Sequence, residues 1–178
     1  MPRPPKREKH PNSVASPHPL PELCFEGESL DHLLKAFASE IESARSTDTA
    51  LPEKFWFKCM CNEQQQFSIG VNEVTRVLER MPAVAATPND DSVQADPPRN
   101  QLQAILLASD CNPWWLTKHL SSLAASRSVP LLFVKDKKRG SLRLGELVKL
   151  KTAIAVGVKA RGNTINQLVS SLLLQMPT

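Results

Sequence analysis

The sequence predicts an α/β fold, a three-layer α/β/α sandwich with a small mixed sheet. Two observations lead to this prediction. From residue 102 onward, short apolar runs of strand length alternate with amphipathic segments of helical period. The chain has 178 residues, 41% of them hydrophobic, which suits one well-buried domain better than two. We therefore expect a single domain over residues 29–178, preceded by an arm over residues 1–28.

The arm is rich in proline and in positive charge. Its first 22 residues hold seven prolines and four lysine or arginine residues. Such a segment buries too little apolar surface to offset the conformational entropy lost on ordering. We expect it to be disordered, and a nuclear localisation patch, a nonspecific RNA tether and a plain solvated tail all remain open.

Two helices and an insertion are predicted in the first half of the domain. Ser29 is placed to cap an amphipathic helix that ends near Ser46. Its apolar residues recur with helical spacing: Leu30, Leu33, Leu34, Phe37 and Ile41. A second helix is expected over 71–81 and is stopped by Pro82. Residues 82–100, rich in proline and acid, form a polar surface insertion, and 55–60 are either extended or a packed loop.

The second half alternates strand and helix. Apolar runs predict buried strands, and capping residues predict the starts of helices. The strands are expected over 102–108, 129–134 and 152–158, and the helices over 112–125, 141–148 and from residue 163 or 164 onward.

Charge is distributed unevenly along the chain. Residues 113–178 hold eleven lysines or arginines against two acids, whereas residues 20–100 hold seven against fourteen. A polyanion would bind the basic half, because each neutralised phosphate releases a bound counterion. A solvated basic face, an acidic protein and an anionic membrane fit the same charge.

The sequence does not predict an enzyme or a metal site. The glycine patterns of dinucleotide and phosphate loops are not found. The four cysteines include one close pair, Cys59 and Cys61, and the four histidines are scattered, so we expect no zinc and no cofactor. No signal-peptide pattern or long apolar run is found, so we expect an intracellular protein with reduced thiols.

The segment from Gly70 to Arg80 places three polar groups at a helix start. Asn72 offers an amide that donates and accepts, Glu73 a carboxylate that accepts from guanine N–H groups, and Arg76 a guanidinium suited to phosphate. The helix N-terminus adds free backbone N–H groups and positive partial charge. An ordinary helix cap formed by Asn72 and Glu73 explains these residues equally well.

The pattern Gly-x-Asn-Glu-x-x-Arg formed by Gly70, Asn72, Glu73 and Arg76 resembles the signature of the kink-turn RNA-binding family. That family includes ribosomal proteins and core proteins of small nucleolar ribonucleoproteins. The resemblance extends over roughly residues 68–159, because an acidic turn ending in proline and a Val-Pro pair follow in the family's order. It implies that the helix end reads the tandem sheared G·A pairs of a kinked RNA duplex.

The resemblance also implies a hydrophobic clamp formed by Val129, Pro130 and Leu131, which in the family packs over the flipped-out base of the kink. Apolar and proline faces suit that task, since an extruded base has lost its stacking partners. Supporting phosphate contacts are expected from basic residues, namely Lys118, Arg127, Lys135, Lys137, Lys138 and Arg139.

Ile69 stands where most family members have a lysine. In this respect the sequence resembles the branch of the family found in nuclear ribonuclease P and ribonuclease MRP. That branch implies a non-catalytic subunit that supports tRNA 5′ maturation and rRNA processing in the nucleus and nucleolus. Its partners would be a structured RNA with a kink-turn and the other protein subunits. The alternatives are a small nucleolar or ribosomal kink-turn-binding protein, and a protein-interaction module on the same fold.

Trp114 and Trp115 are adjacent in a predicted helix. Neighbouring helical residues point about 100° apart, so one buried stripe cannot hold both. We expect one tryptophan in the core and the other partly buried beneath the arm, with a partner-protein contact as the alternative.

Overall fold

The computed structural model describes residues 23–47, 66–83, 101–137 and 139–175. Within them, strands and helices follow one another in this order: β1 (Leu23–Glu26), α1 (Gly27–Thr47), β2 (Phe67–Ile69), α2 (Val71–Arg80), β3 (Leu102–Ala108), α3 (Trp115–Ser126), β4 (Leu131–Lys135), α4 (Gly140–Leu147), β5 (Ala155–Lys159) and α5 (Thr164–Leu174). The predicted α/β class with a mixed sheet is confirmed.

The sheet has the strand order β1-β4-β3-β5-β2. β4 pairs in parallel with β1 and β3, whereas β5 pairs antiparallel with β3 and β2. Four strands therefore run in one direction and β5 runs in the other. The end of the sheet where Ile69, Ala108 and Lys135 finish their strands and Ala155 begins β5 is called the motif end below. The opposite end is called the far end.

Helices cover both faces of this sheet. Alternation along β3 sends Ala104, Leu106 and Ala108 to the face covered by α1, α4 and α5. Ile105 and Leu107 point to the other face, where they meet the buried stripes of α2 and α3. The central strands are therefore apolar on both sides, as expected of strands buried between two helical layers.

Two strands and several boundaries differ from the sequence prediction. β1 and β2 are not predicted, and β1 lies within the segment assigned to the arm. α3 begins at Trp115, and β4 and β5 begin two to three residues later than expected. Residues 1–22, 55–60 and 84–100 lie outside the described residues, and with them most of the arm and insertion.

A cluster of amide side chains joins the elements at the far end. The Asn166 amide donates to the Lys159 carbonyl (2.8 Å) and accepts from the backbone N–H of Arg161 (2.9 Å). Gln66 donates to the same Lys159 carbonyl (3.0 Å), and Asn163 and Asn166 form a reciprocal cap at the start of α5. These bonds satisfy buried polar groups and fix α5 against β5.

The turn between α3 and β4 is a helix cap of the Schellman type. Ser128 has a positive φ of 55°, and the backbone N–H groups of Ser128 and Val129 donate to the carbonyls of Ala125 (3.1 Å) and Ala124 (3.0 Å). Val129 is buried, as the apolar residue that follows such a cap commonly is. Val129 and Pro130 therefore have a structural role here, ending α3 and leading into β4.

Replacing Ser128 with glycine should stabilise the domain. The left-handed conformation costs a non-glycine residue about 1 kcal/mol, and glycine removes this cost. We expect Ser128→Gly to raise the free energy of unfolding by about 0.5–1 kcal/mol, measured by urea denaturation. Ser122→Gly, at an exposed interior position of α3, is the matched control and should lower it by about 0.5 kcal/mol. Equal losses in both variants would contradict the cap.

Candidate nucleic-acid interface

Gly70 forms the junction between β2 and α2. Its φ of 95° and ψ of 153° lie in a region that only glycine populates readily. Its backbone N–H donates to the Ala155 carbonyl at 2.8 Å. A Cβ added to Gly70 would meet no atom within 4 Å, so backbone conformation rather than close approach requires glycine here. Gly70 thus turns the chain into α2 and ties the start of that helix to β5.

Asn72, Glu73 and Arg76 lie together on the outer side of α2. The N-cap is Gly70, which has no capping side chain, and the Asn72 amide makes no hydrogen bond to the described residues. Arg76 Nη1 donates to Glu73 Oε2 at 3.1 Å, with the two side chains 59% and 43% exposed. Asn72 therefore does not cap α2, contrary to the alternative left open by the sequence. The three polar groups face solvent at the motif end.

The opposite side of α2 supplies its stability. Val71, Val74, Val77 and Leu78 are buried against the sheet and α3. Burying such side chains stabilises a fold by about 1.5–3 kcal/mol each. An exposed ion pair contributes about 0–1 kcal/mol and an acid in the first helical turn about 0.3–1 kcal/mol, so Glu73 and Arg76 add less to folding than the buried stripe does.

A second segment reaches the motif end beside Gly70, and we call it the 149–154 loop. Lys149 has a positive φ of 53°, and the Leu150 N–H donates to the Gly145 carbonyl at 2.8 Å, which ends α4. The chain then returns to the sheet, where the Ala108 N–H donates to the Ile154 carbonyl at 2.8 Å. Leu150 is 48% exposed, and Lys151 beside it is also exposed. Because Ala155 accepts from Gly70, this loop leads directly to the α2 N-terminus.

This loop is not predicted from the sequence, because residues 152–154 continue the apolar run that predicts a strand. A usable signal was present. Leu150 stands between Lys149 and Lys151, an apolar residue set among cations where a buried strand would not begin.

The structure does not bring Val129, Pro130 and Leu131 to the α2 N-terminus. They precede or begin β4 and therefore lie toward the far end, where the Pro130 carbonyl accepts from the Ile105 N–H at 3.0 Å. Val129 and Leu131 are buried. Arg127 Nε donates to the Leu78 carbonyl at 3.1 Å, in the last turns of α2. Since the helix rises about 1.5 Å per residue, Leu78 lies about 12 Å along the helix from Gly70.

The remaining predicted cations have different surroundings. Lys118 is exposed, with its Nζ 5.3 Å from the centroid of the Trp114 ring. Lys135 pairs with Glu26 at 3.4 Å. Lys137 and Arg139 are exposed, and Lys138 lies outside the described residues. Lys118, Lys137 and Arg139 all belong to segments that begin or turn at the motif end.

Three acids near the motif end are engaged in structural contacts. Both carboxylate oxygens of Asp110 accept from Ser141, one from the backbone N–H and one from the hydroxyl (2.9 Å each), at the start of α4. Arg143 contacts Asp136 at 3.2 Å and also Asp31, and this guanidinium lowers the pKa of Asp31 below its usual value. These three acids are paired within the protein, and the exposed lysine and arginine side chains of this end can attract a polyanion.

Trp114 and Trp115 are both exposed, at 66% and 63%. The expectation that one of them lies in the core is wrong, because the buried stripe of α3 is formed by Leu120 and Ala124 in its later turns. Both tryptophans precede the part of the helix that packs on the sheet.

Part of the chain is similar to a known protein family. Residues 97–167 match the family described as ribosomal protein L7Ae/L30e/S12e/Gadd45. This part of the chain is similar to that family. The resemblance stated from the sequence is thereby confirmed, although Gly70, Asn72, Glu73 and Arg76 precede the matched stretch.

Curated relatives carry the description ribonuclease P protein subunit p38. The chain is 31% identical to the Bos taurus protein over 114 residues, covering 64% of this chain and 33% of that protein. It is 30% identical to the Homo sapiens protein over 115 residues, covering 65% and 33%. The chain thus spans about a third of the length of these relatives.

A solved structure supports the fold. The chain matches the Giardia lamblia 15.5kD RNA binding protein with a TM-score of 0.50 and 15% identity, covering 90% of this chain and 99% of that one. Within the described part of the chain, no helix is long and apolar enough to cross a membrane. The same residues contain no group of His, Cys, Asp and Glu side chains arranged to hold a metal ion.

Replacing Gly70 with alanine should destabilise the domain. Alanine does not adopt φ 95° and ψ 153° without strain, which costs about 1–3 kcal/mol. We expect Gly70→Ala to lower the free energy of unfolding by that amount, about 1–3 kcal/mol in urea denaturation. Asn72→Ala is the control and should change it by less than about 0.5 kcal/mol, because its side chain is exposed. Unchanged stability in Gly70→Ala would refute the backbone requirement.

Proposed function

We propose that the chain binds a kink-turn-like RNA at the motif end. The binding surface consists of the start of α2, with Gly70, Asn72, Glu73 and Arg76, together with the 149–154 loop. The observation that carries this proposal is the exposed Asn72 amide, which caps nothing and stands beside an exposed carboxylate and guanidinium. These three groups contribute little to the stability of the fold, and each of them can contact RNA.

Each polar group has a distinct contact to offer. The Glu73 carboxylate accepts from guanine N–H groups, and the Asn72 amide both donates to and accepts from a base edge. The Arg76 guanidinium pairs with Glu73 at 3.1 Å and keeps further N–H groups free for phosphate. This pairing holds the carboxylate in position before RNA arrives. The exposed first turn of α2 adds a favourable field for the backbone anion.

The 149–154 loop takes the role that the sequence assigned to Val129, Pro130 and Leu131. Leu150 offers an exposed apolar surface to an extruded base, and Lys151 offers an ammonium to the neighbouring phosphate. Lys149 contacts Glu42 only at 3.9 Å and about half its side chain is exposed, so it remains available to a phosphate. The hydrogen bond from Gly70 to Ala155 keeps this loop beside the helix.

We infer that this RNA belongs to a ribonuclease P or MRP ribonucleoprotein, with the chain as a non-catalytic subunit in the nucleus and nucleolus. The similarity to the p38 subunits supports this inference. The subunit would support tRNA 5′ maturation and rRNA processing, with other protein subunits as neighbours. Sequencing the RNA that copurifies with the tagged chain from cells tests it, and recovery of small nucleolar or ribosomal RNA instead would refute it.

Glu73→Ala should weaken binding to a kink-turn RNA. Loss of one specific base contact costs about 1–3 kcal/mol, so we expect the Kd to rise by that equivalent in an electrophoretic shift assay. Glu79→Ala removes the same charge from an exposed position in the last turn of α2 and should leave the Kd nearly unchanged. Unchanged affinity in Glu73→Ala, with the fold intact by circular dichroism, would sink the proposal and favour a protein-interaction module.

The salt dependence of RNA binding should show whether the 149–154 loop or the predicted clamp contacts the RNA. Each phosphate contact contributes about 0.7–0.9 to the slope of log K against log salt concentration, so we expect Lys151→Ala to reduce the slope by about that amount. Arg127→Ala removes the same charge at the far end, so the slope should persist while stability falls, because the Leu78 carbonyl loses its donor. The reverse pattern would return the clamp to Val129, Pro130 and Leu131, beside Arg127.

A further inference from the structure

Trp114 and Trp115 form an exposed aromatic pair that the proposed kink-turn site does not use. Their exposed fractions are 66% and 63%. Two adjacent tryptophans with two thirds of their surface in water are unusual for a folded domain, because these side chains carry the largest apolar area. Such a pair therefore points to a ligand that covers it.

The pair lies beside the start of α2. Thr75 Oγ1 of α2 and His119 Nε2 of α3 are 2.8 Å apart, which fixes the two helices against each other. Trp115 precedes His119 by four residues and Asn72 precedes Thr75 by three, so each lies about one turn nearer its helix N-terminus. Packed helices have axes about 8–10 Å apart. Trp115 thus lies within about one helix diameter of Asn72.

The charge around the pair favours a polyanion. Lys118 lies one turn after Trp114, and its Nζ is 5.3 Å from the centroid of that ring. No acid occurs in α3, whose sequence is WLTKHLSSLAAS. Because the Lys118 ammonium lies over one face of the Trp114 ring, a base would stack on the opposite face while Lys118 contacts its phosphate. An acidic protein would also meet Lys118, but the pair's position beside Asn72 favours continuation of the RNA surface.

We propose that Trp114, Trp115 and Lys118 form a stacking site for unpaired nucleotides that adjoin the kinked duplex. This inference rests on the proposed function, because it extends the same RNA beyond the contacts of α2. Trp115, on the side of α2, receives the nucleotide nearest the duplex. Trp114 receives the next one, and Lys118 contacts the phosphate between them. The site has no requirement for base identity, since every base has a face to stack.

The test uses two RNAs that share one kink-turn. The first has blunt helical ends, and the second carries a six-nucleotide single-stranded extension on one arm, made in two versions so that each arm is tried. We expect the chain to bind one extended RNA about 5- to 100-fold more tightly than the blunt RNA. In Trp114→Ala/Trp115→Ala this advantage should disappear while affinity for the blunt RNA persists. Leu174→Ala, at an exposed apolar residue of α5, is the control and should retain the advantage.

Fluorescence gives an independent readout. The third tryptophan of the chain, Trp56, is replaced by phenylalanine, so that emission comes from the pair alone. The extended RNA should quench this emission, and the blunt RNA should leave it nearly unchanged. If the alanine double variant fails to fold, Trp114→Leu/Trp115→Leu keeps the apolar bulk without the stacking face and should lose the same advantage.

Several results would overturn the inference. Equal affinity of the unmodified chain for blunt and extended RNAs would do so, as would an equal loss for both RNAs in the double variant. An advantage that survives both tryptophan changes would also overturn it and leave the pair to a partner protein. Failure of the proposed function would give a different result. The affinity for RNA would then be unchanged in Glu73→Ala, while the advantage of the extended RNA would still be lost in the tryptophan variants.

Discussion

The hydrogen bond from the Gly70 N–H to the Ala155 carbonyl holds the proposed site together. It exists because β5 runs opposite to the other four strands, so its beginning meets their ends. The 149–154 loop therefore reaches the sheet beside the start of α2, although the two segments are far apart in sequence. Gly70 makes the bond possible by adopting a conformation that other residues avoid. A surface of two segments thus depends on one reversed strand and one glycine.

Elements with long, regular apolar patterns could be predicted from the sequence. The stripe of α1 and the continuous run of β3 fall where their periodicity places them. β1 and β2 could not be predicted, because they are four and three residues long and their stability comes from pairing with β4 and β5. Strand direction was equally hidden, since no local pattern records that β5 is antiparallel.

Only the part of the candidate site that lies within one helix could be predicted from the sequence. Asn72, Glu73 and Arg76 are spaced for one helix face, and the structure places them on the exposed side of α2. The structural role of Val129 and Pro130 could not be predicted, because Ser128, not glycine, occupies the left-handed position that ends α3. Without a glycine the helix cap is invisible in sequence, and a Val-Pro pair then looks like a loop with a binding role. Distances across the sheet decide between those roles.

In α2 and α3, different side chains serve core packing and the proposed binding of RNA. Val74 and Leu78 are fully buried in α2, as are Leu120 and Ala124 in α3, so core packing positions both helices. In the first turn of α2, Asn72 and Glu73 lie outside the core beside buried Val71 and Val74, and the first turn of α3 has no buried side chain. There the chain presents an amide, an ion pair and two tryptophans to solvent, and these groups add less to folding than the buried side chains do. The Thr75–His119 contact joins the two helices close to these groups, which therefore lie on neighbouring parts of the surface. A ligand that spans it must combine negative charge, base edges and flat aromatic faces, a combination found in RNA.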